Sequence, residues 1–243
     1  MKLRILGISG SPIVGGNCDK MVQLSLKAAE ESAITPGEIE TEFISLGEKK
    51  IEMCNGDQWC VAHRSKCNRN DDAMWVFGRM EEADGIIMGG PTWGWTMCPL
   101  LTLLLTRGRC YNFFLYTLRN KVCGAVTVGW HGRGCAEALG VLETEQKSAL
   151  MIPVARGMAL TSTAAFGQTP RYLEHGAMDD KVGVKWVRNV GMRVVEVTRL
   201  IKTGMANGGG APPELCIITS GATMAVPKKQ FVAGVWTEKE KDK

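Results

Sequence analysis

The sequence predicts an α/β fold: a doubly wound sheet of five parallel strands, with a cysteine-containing insertion and a C-terminal extension. Three observations predict it. Short apolar runs with branched residues, at 3–8, 85–90 and 121–128, read as strands buried on both faces. Stretches of helical period lie between them, so strand and helix alternate as in right-handed βαβ units. The first strand also ends at once in a loop holding three glycines, two serines and an asparagine, from which a helix starts. Sheets of this kind collect ligands beyond the carboxyl ends of their strands.

After the first strand, Met21, Val22, Leu24, Ala28 and Ala29 recur at helical spacing from Asn17 to about Ser32, with Asn17 or Asp19 as cap. Thr35-Pro36-Gly37 ends that helix. Residues 40–46 alternate loosely through Thr41, Phe43 and Leu46 and give the second strand. The polar stretch 52–70 has no period and contains three cysteines. Asp71 or Asp72 caps a short helix carrying Met74, Trp75, Phe77 and Met80. The third strand, 85–90, ends in the loop 91–97. Residues 100–105 are helical and an aromatic run, 111–116, follows them. The fourth strand, 121–128, ends in Gly129-Trp130-His131-Gly132-Arg133-Gly134. A helix at 135–150 and a weaker strand at 151–160 come next, and 161–179 has no period. Residues 181–202 form the clearest helix, with Val184, Val187, Val190, Val194, Val197 and Ile201 on one face and Gly204 as its stop. The glycine- and proline-rich linker 208–213, an apolar patch at 215–218 and a charged end at 238–243 complete the chain. This divides it into a domain at 1–204, with the cysteine insertion at 51–72, and an extension at 205–243 that contacts another subunit.

A net charge of +4 over 243 residues, with no basic block interleaved with aromatics, argues against a nucleic-acid partner. The longest apolar stretch, near 99–105, is far too short for a membrane span. Met1-Lys2 leads straight into a strand without a secretory pattern, so a cytoplasmic location is expected. Nine cysteines, an odd number, suit metal ligation or redox chemistry better than a disulfide framework. Cys54, Cys60 and Cys67 are crowded together. Cys18, Cys98, Cys110, Cys123, Cys135 and Cys216 stand alone and read as small buried hydrophobes.

The loop after the first strand has the makings of an anion site, because backbone amides, hydroxyls and a helix N-terminus converge there. It is not a triphosphatase loop, since no Gly-Lys-Ser/Thr follows. The glycines of this strand and loop, Gly7, Gly10, Gly15 and Gly16, are also wrongly spaced for the dinucleotide fingerprint. Serine and asparagine without lysine suit a single terminal phosphate held without metal. An ordinary glycine-rich turn is the plain alternative. The loops after the first, third and fourth strands converge on one crevice, which favours the ligand.

Four anchors carry a family resemblance: the loop Gly10-Ser11-Pro12-Ile13-Val14-Gly15-Gly16-Asn17, the turn Gly89-Gly90-Pro91-Thr92-Trp93, the loop 129–134, and the cysteine segment running into Asp71-Asp72. Over roughly 3–204 the chain resembles the iron–sulfur flavoproteins within the NADPH-dependent FMN reductase group, which have a flavodoxin-like fold. The resemblance implies FMN, with Ser9, Ser11, Gly16, Asn17 and Cys18 facing its phosphate. It sets Pro91, Thr92, Trp93, Gly94, Trp95 and Thr96 against one side of the isoalloxazine ring, with Gly129, Trp130 and Arg133 nearby. The family's basic residue in the first loop is Ile13 or Val14 here, which removes direct charge pairing with the phosphate.

The family's four cysteines read here as Cys54, Asp57, Cys60 and Cys67, so an aspartate stands at the second position. Iron accepts a carboxylate, although it is a harder ligand than thiolate. A [4Fe–4S] cluster with Asp57 as ligand or with an open iron, a [3Fe–4S] cluster, zinc joined by His63, and loss of the metal all stay open. With a cluster, the expected function is a reductase that relays single electrons from a donor such as ferredoxin or NAD(P)H, through FMN, to a small acceptor. The alternatives are a cluster-free NAD(P)H-dependent FMN or quinone reductase, and a non-enzymatic electron carrier or redox sensor. Trp93, Trp95 and Trp130 fall on the crevice loops, where they could stack an aromatic acceptor or cage a cationic one instead of filling the core. His131 and Arg133 could donate a proton or bind an anionic acceptor. Folds of this kind commonly pair across the flavin, so a homodimer or homotetramer is expected.

Overall fold

The computed structural model describes residues 1–161 and 176–210, together with the strand backbones at 229–232 and 235–238. β1 (Leu3–Ser9), α1 (Asn17–Glu30) and β2 (Ile39–Ser45) open the chain. A short helix in the cysteine segment, α2 (Trp59–His63), is followed by α3 (Ala73–Glu82). Next come β3 (Gly85–Trp93), β4 (Thr96–Met97) and α4 (Pro99–Thr106). β5 (Val122–Gly129), α5 (Cys135–Ser148), β6 (Ile152–Leu160) and α6 (Lys181–Ala206) complete the layered body. Two tail strands, β7 (Lys229–Val232) and β8 (Val235–Glu238), pair antiparallel with each other.

The sheet order is β2-β1-β3-β5-β6, all parallel, with β4 added antiparallel to the end of β3. Counted as parallel strands alone this is 2-1-3-4-5, the flavodoxin-like winding. β1 shows why such strands lose their polar face. Leu3 and Ile5 join a core with α1 and α6 that includes Val22, Leu26, Val190 and Val194. Leu6 and Ile8 join the opposite core with α3, α4 and α5 that includes Phe77, Leu101 and Leu139. Gly191 lets α6 lie against α1, because a Cβ there would sit 1.9 Å from the carbonyl oxygen of Ser25.

Several local expectations are corrected. Neither Asn17 nor Asp19 caps α1; Gly16 occupies the cap position and no side chain bonds there. Asp19 accepts from the Gly15 amide at 2.8 Å, and Asn17 Oδ1 accepts from the Ala177 amide at 2.9 Å. The cysteine segment is not wholly aperiodic, since it contains α2. β3 runs three residues past Gly90 and turns through Gly94 and Trp95, both at positive φ, into β4. The aromatic run forms a single π turn, Tyr111–Leu115. α6 passes Gly204 and ends at Ala206, while α5 stops at Ser148. The tail hairpin has no counterpart in the sequence reading. The patch at 215–218 and Cys216 lie outside the described residues.

Candidate active site and cysteine site

Three loops meet at the carboxyl rim of the sheet. They enclose a cleft of about 190 Å³ whose lining includes Ser11, Asn17, Cys18, Thr92, Trp93 and Trp130. The first loop is held from within: Ser11 Oγ accepts from the Ile13 amide at 3.0 Å, and the Gly10 amide donates to Gly89 O at 2.7 Å. Gly16 and Pro91 also line the cleft. Ser9 is fully buried and its hydroxyl takes the Ser11 amide at 3.4 Å, so it supports the loop from beneath. Burial pushes the Cys18 thiol up to about 12, partly offset by a hydrogen bond with Ser9, which keeps it a neutral thiol. Ile13 and Val14 are exposed, and neither can pair with a phosphate charge.

The loops after β3 and β5 are built against each other. A Cβ on Gly134 would meet the Trp95 backbone at 2.6 Å, and one on Gly129 would meet Cys135 Sγ at 2.5 Å and Thr92 Oγ1 at 3.0 Å. Trp95 and His131 are held at φ 71° and 56°, a left-handed conformation uncommon for bulky side chains and concentrated at binding sites. The Arg133 guanidinium lies 5.0 Å from the centre of the Trp95 ring, and Trp130 and His131 form a tilted ring pair at 4.2 Å. Gly94, Trp95, Trp130, His131 and Arg133 line a second hollow of about 490 Å³, which shares Trp130 with the first. Trp93, Trp95 and Trp130 are 49%, 59% and 43% exposed, so none of the three is core. Thr96 is also exposed, on β4. Thr161, which the sequence reading passed over, lines the cleft because its amide donates to Gly129 O at 3.0 Å.

The residues present fit FMN. The cleft has aromatic walls, and beside them α1, fourteen residues long, begins with no side-chain cap. Its first amides and dipole therefore suit a terminal phosphate.

The cysteine segment leaves the same rim at Gly47, where a Cβ would meet Ser11 O at 2.9 Å, and is then tied to the far end of α4. Its anchor is a buried ion pair. Asp71 accepts from Arg107, from the Glu52 amide at 2.9 Å and from the Ala73 amide at 3.1 Å, while Arg107 Nη1 donates to Glu52 O at 2.8 Å. Burial raises the Asp71 carboxyl, but Arg107 and the two amides outweigh it and hold the group below its usual range. Arg107 Nη2 reaches Cys67 Sγ at 3.2 Å, and Arg109 is near enough to Cys60 to favour its thiolate. Burial is nonetheless the larger influence and raises the Cys60 thiol, with Cys67 and Cys54 adding to the rise. The three sulfurs thus share one electrostatic neighbourhood. Among the described residues no three Cys, His, Asp or Glu side chains close on one point as a single metal ion needs. A cluster asks for a wider arrangement, with each thiolate on a different iron. Arg107 Nε is buried with no acceptor among the described residues, a donor that cluster sulfur can satisfy. His63 is stacked on Trp59 at 3.6 Å, with Nδ1 3.0 Å from Trp59 O. Asp57 caps its own turn: Oδ1 accepts from the Trp59 amide at 2.9 Å and Oδ2 from Asn55 at 3.2 Å.

Comparison with known proteins agrees with this geometry. Residues 3–165 match the family model described as NADPH-dependent FMN reductase. An iron-sulfur flavoprotein of Methanocaldococcus jannaschii is 35% identical over 205 residues, spanning 82% of this chain and 100% of that protein. One from Methanosarcina thermophila is 28% identical, over 82% of this chain and 97% of its own. Among solved structures, RosB with a bound 8-demethyl-8-formylriboflavin-5'-phosphate intermediate aligns with a TM-score of 0.64 at 17% identity, covering 98% of this chain and 100% of that one. A flavone reductase aligns at 0.59 and 20%, over 82% and 64%. At these identities the two structures share the fold.

Proposed function

Because the chain belongs to the NADPH-dependent FMN reductase family and is a flavin-dependent oxidoreductase, we propose that it joins an FMN site to an iron–sulfur cluster that relays single electrons. FMN supplies chemistry in which a hydride or single electrons can be taken up, whereas a cluster passes electrons one at a time. The observation that carries the proposal is the pairing of two sites: a cleft at an uncapped helix start, and three thiols bracketed by Arg107 and Arg109. α4 runs between them, with Cys98 Sγ bonded to Gly10 O at the cleft end and Arg107 bonded to Cys67 at the other. Eight helical residues span about 12 Å.

Ser11, Gly16 and Asn17 bind the phosphate end with backbone and side-chain donors. Thr92, Trp93, Gly129 and Trp130 exclude water from the ring. The second hollow takes the small acceptor, where Trp95 stacks an aromatic or cationic molecule and His131 and Arg133 face it with donor groups. A ferredoxin or NAD(P)H supplies the electrons. Residues 205–243 contact a second copy in a homodimer or homotetramer, and sedimentation of the full chain tests this, a monomer contradicting it.

The direct test is anaerobic purification followed by assay of iron, sulfide and FMN. About four iron and four sulfide per FMN are expected for a cubane. Flavin without iron would support the cluster-free reductase instead, and would remove the relay.

A further inference from the structure

We infer that Cys110 supplies the fourth thiolate of the cysteine site, in place of Asp57. The inference rests on the cluster reading above and deepens it. In sequence Cys110 looks like one of the solitary core cysteines, far from the insertion. In the fold, the stretch Arg107-Gly108-Arg109-Cys110 passes beneath the cysteine segment and turns its functional groups toward it. Arg109 Nη1 donates to Gln58 Oε1 at 2.8 Å, Lys66 Nζ lies 5.8 Å from the centre of the Tyr111 ring, and Cys60 packs against the core that holds Cys110. The Cys110 sulfur is thereby close enough to Cys67 and Cys60 for both to act on it electrostatically. It is fully buried, so that pocket is sealed from water on the protein side.

The other described solitary cysteines have different neighbours. Cys18 is beside Ser9, Cys98 bonds with Gly10 O, Cys135 packs against Gly129, and Cys123 is buried in β5. Asp57, by contrast, has both oxygens engaged within its own turn. Freeing it for iron would cost α2 its start.

The placement of Cys110 is fixed by the core. A Cβ on Gly108 would meet the Phe77 ring at 2.7 Å, so only glycine lets the chain pass there. The next residue, Tyr111, is fully buried and stacks on the same ring at 4.6 Å. The stretch delivers two guanidinium groups as well as the sulfur. Arg107 reaches Cys67 and holds a buried Nε without an acceptor among the described residues, and Arg109 sits by Cys60. Four thiolates around a cluster leave net negative charge, and buried negative charge requires such partners. When the Fe–S bond forms, the Cys110 thiol gives up its proton to solvent and no electron is transferred.

The experiment is anaerobic reconstitution of the full chain with ferric iron, a thiol reductant and sulfide, comparing wild type, C110A and D57N. FMN content and thermal melting serve as checks of folding. Wild type and D57N should hold about four iron per chain with the same electron paramagnetic resonance spectrum after reduction. C110A should fall to three iron or fewer and show the signal of an oxidised three-iron cluster. If C110A binds FMN and keeps four iron with the wild-type spectrum, or if D57N loses the iron instead, the assignment of Cys110 is overturned. Wild type that takes up no iron or sulfide overturns the cluster reading itself, and this inference with it. Should C110A not fold, Mössbauer spectra of the ⁵⁷Fe-loaded wild type decide the matter. All-thiolate ligation shows no distinct iron site, and one iron with an oxygen ligand contradicts it.

Discussion

Arg107 has three kinds of partner at once: the Asp71 carboxylate, the Glu52 carbonyl and the Cys67 sulfur. Its side chain and that of Asp71 are both 0% exposed, so removing the arginine leaves a carboxylate stranded in the interior. R107M should therefore lower stability by about 3–5 kcal/mol, read as a shifted urea midpoint with unchanged slope. R107K should recover only part of this, because an ammonium cannot span three partners in a plane. A midpoint within experimental scatter of wild type would show that the pair does not hold the segment. Gly134 makes a different kind of demand. It combines φ 73° with a Cβ position 2.6 Å from the Trp95 backbone, so even alanine must move one loop off the other. G134A should weaken FMN binding about tenfold or more, close to 1.4 kcal/mol, at temperatures where the melting curve shows the apo chain still folded. Unchanged affinity would mean that contact between the two loops does not shape the cleft.

Among the elements, α6 depends on Asp180, which accepts from the Gly183 amide at 2.9 Å as helix cap and from the Leu160 amide at 2.9 Å at the end of β6. D180A should cost about 1–2 kcal/mol, at the upper end for a cap because a strand terminus is released as well. Thermal or chemical unfolding measures it, and a loss below half a kcal/mol would contradict the double role. α6 was also the element most legible in the sequence, since its apolar stripe repeats over about five turns and packs on the α1 face of the sheet as that stripe requires. β1, β3 and β5 were legible for the same reason, being apolar on both faces. α1 was legible in extent but not in its start, because Asn17 and Asp19 have the chemistry of caps and spend it on Ala177 and Gly15. α2 and the turn at Tyr111–Leu115 carry no periodicity of their own and take shape from contacts made by distant residues. The β3–β4 turn was read as loop, because Pro91 and the flanking glycines look like breakers while pairing with β5 and β4 extends the strand.

For the whole molecule, the gap between sequence and structure is one of juxtaposition. The crevice could be foreseen because winding order alone places the ends of β1, β3 and β5 together. The company of Cys110 could not, since nothing local separates a core cysteine from one that faces Cys60 and Cys67. The same holds for Glu38 and Arg199, 161 residues apart, which join the entry to β2 to the last helix at 2.8 Å. Arg199 first, and then the Ile34 amide, hold the Glu38 carboxyl down at about 2 from its usual 4.5. A depressed carboxylate contributes its full stability above the unfolded value and loses it as pH falls. Stability should thus decline from about pH 4.5 toward pH 2 in wild type. E38Q should be about 2 kcal/mol less stable at neutral pH, and the two curves should converge near pH 2. Parallel curves across that interval would remove the ion pair from the account. The central claim, that three loops at one rim form an FMN site, is tested most directly by titrating the apo chain with FMN under anaerobic conditions. The account predicts saturable quenching of flavin fluorescence at one FMN per chain. Folded protein that leaves the fluorescence of added FMN unchanged would contradict it.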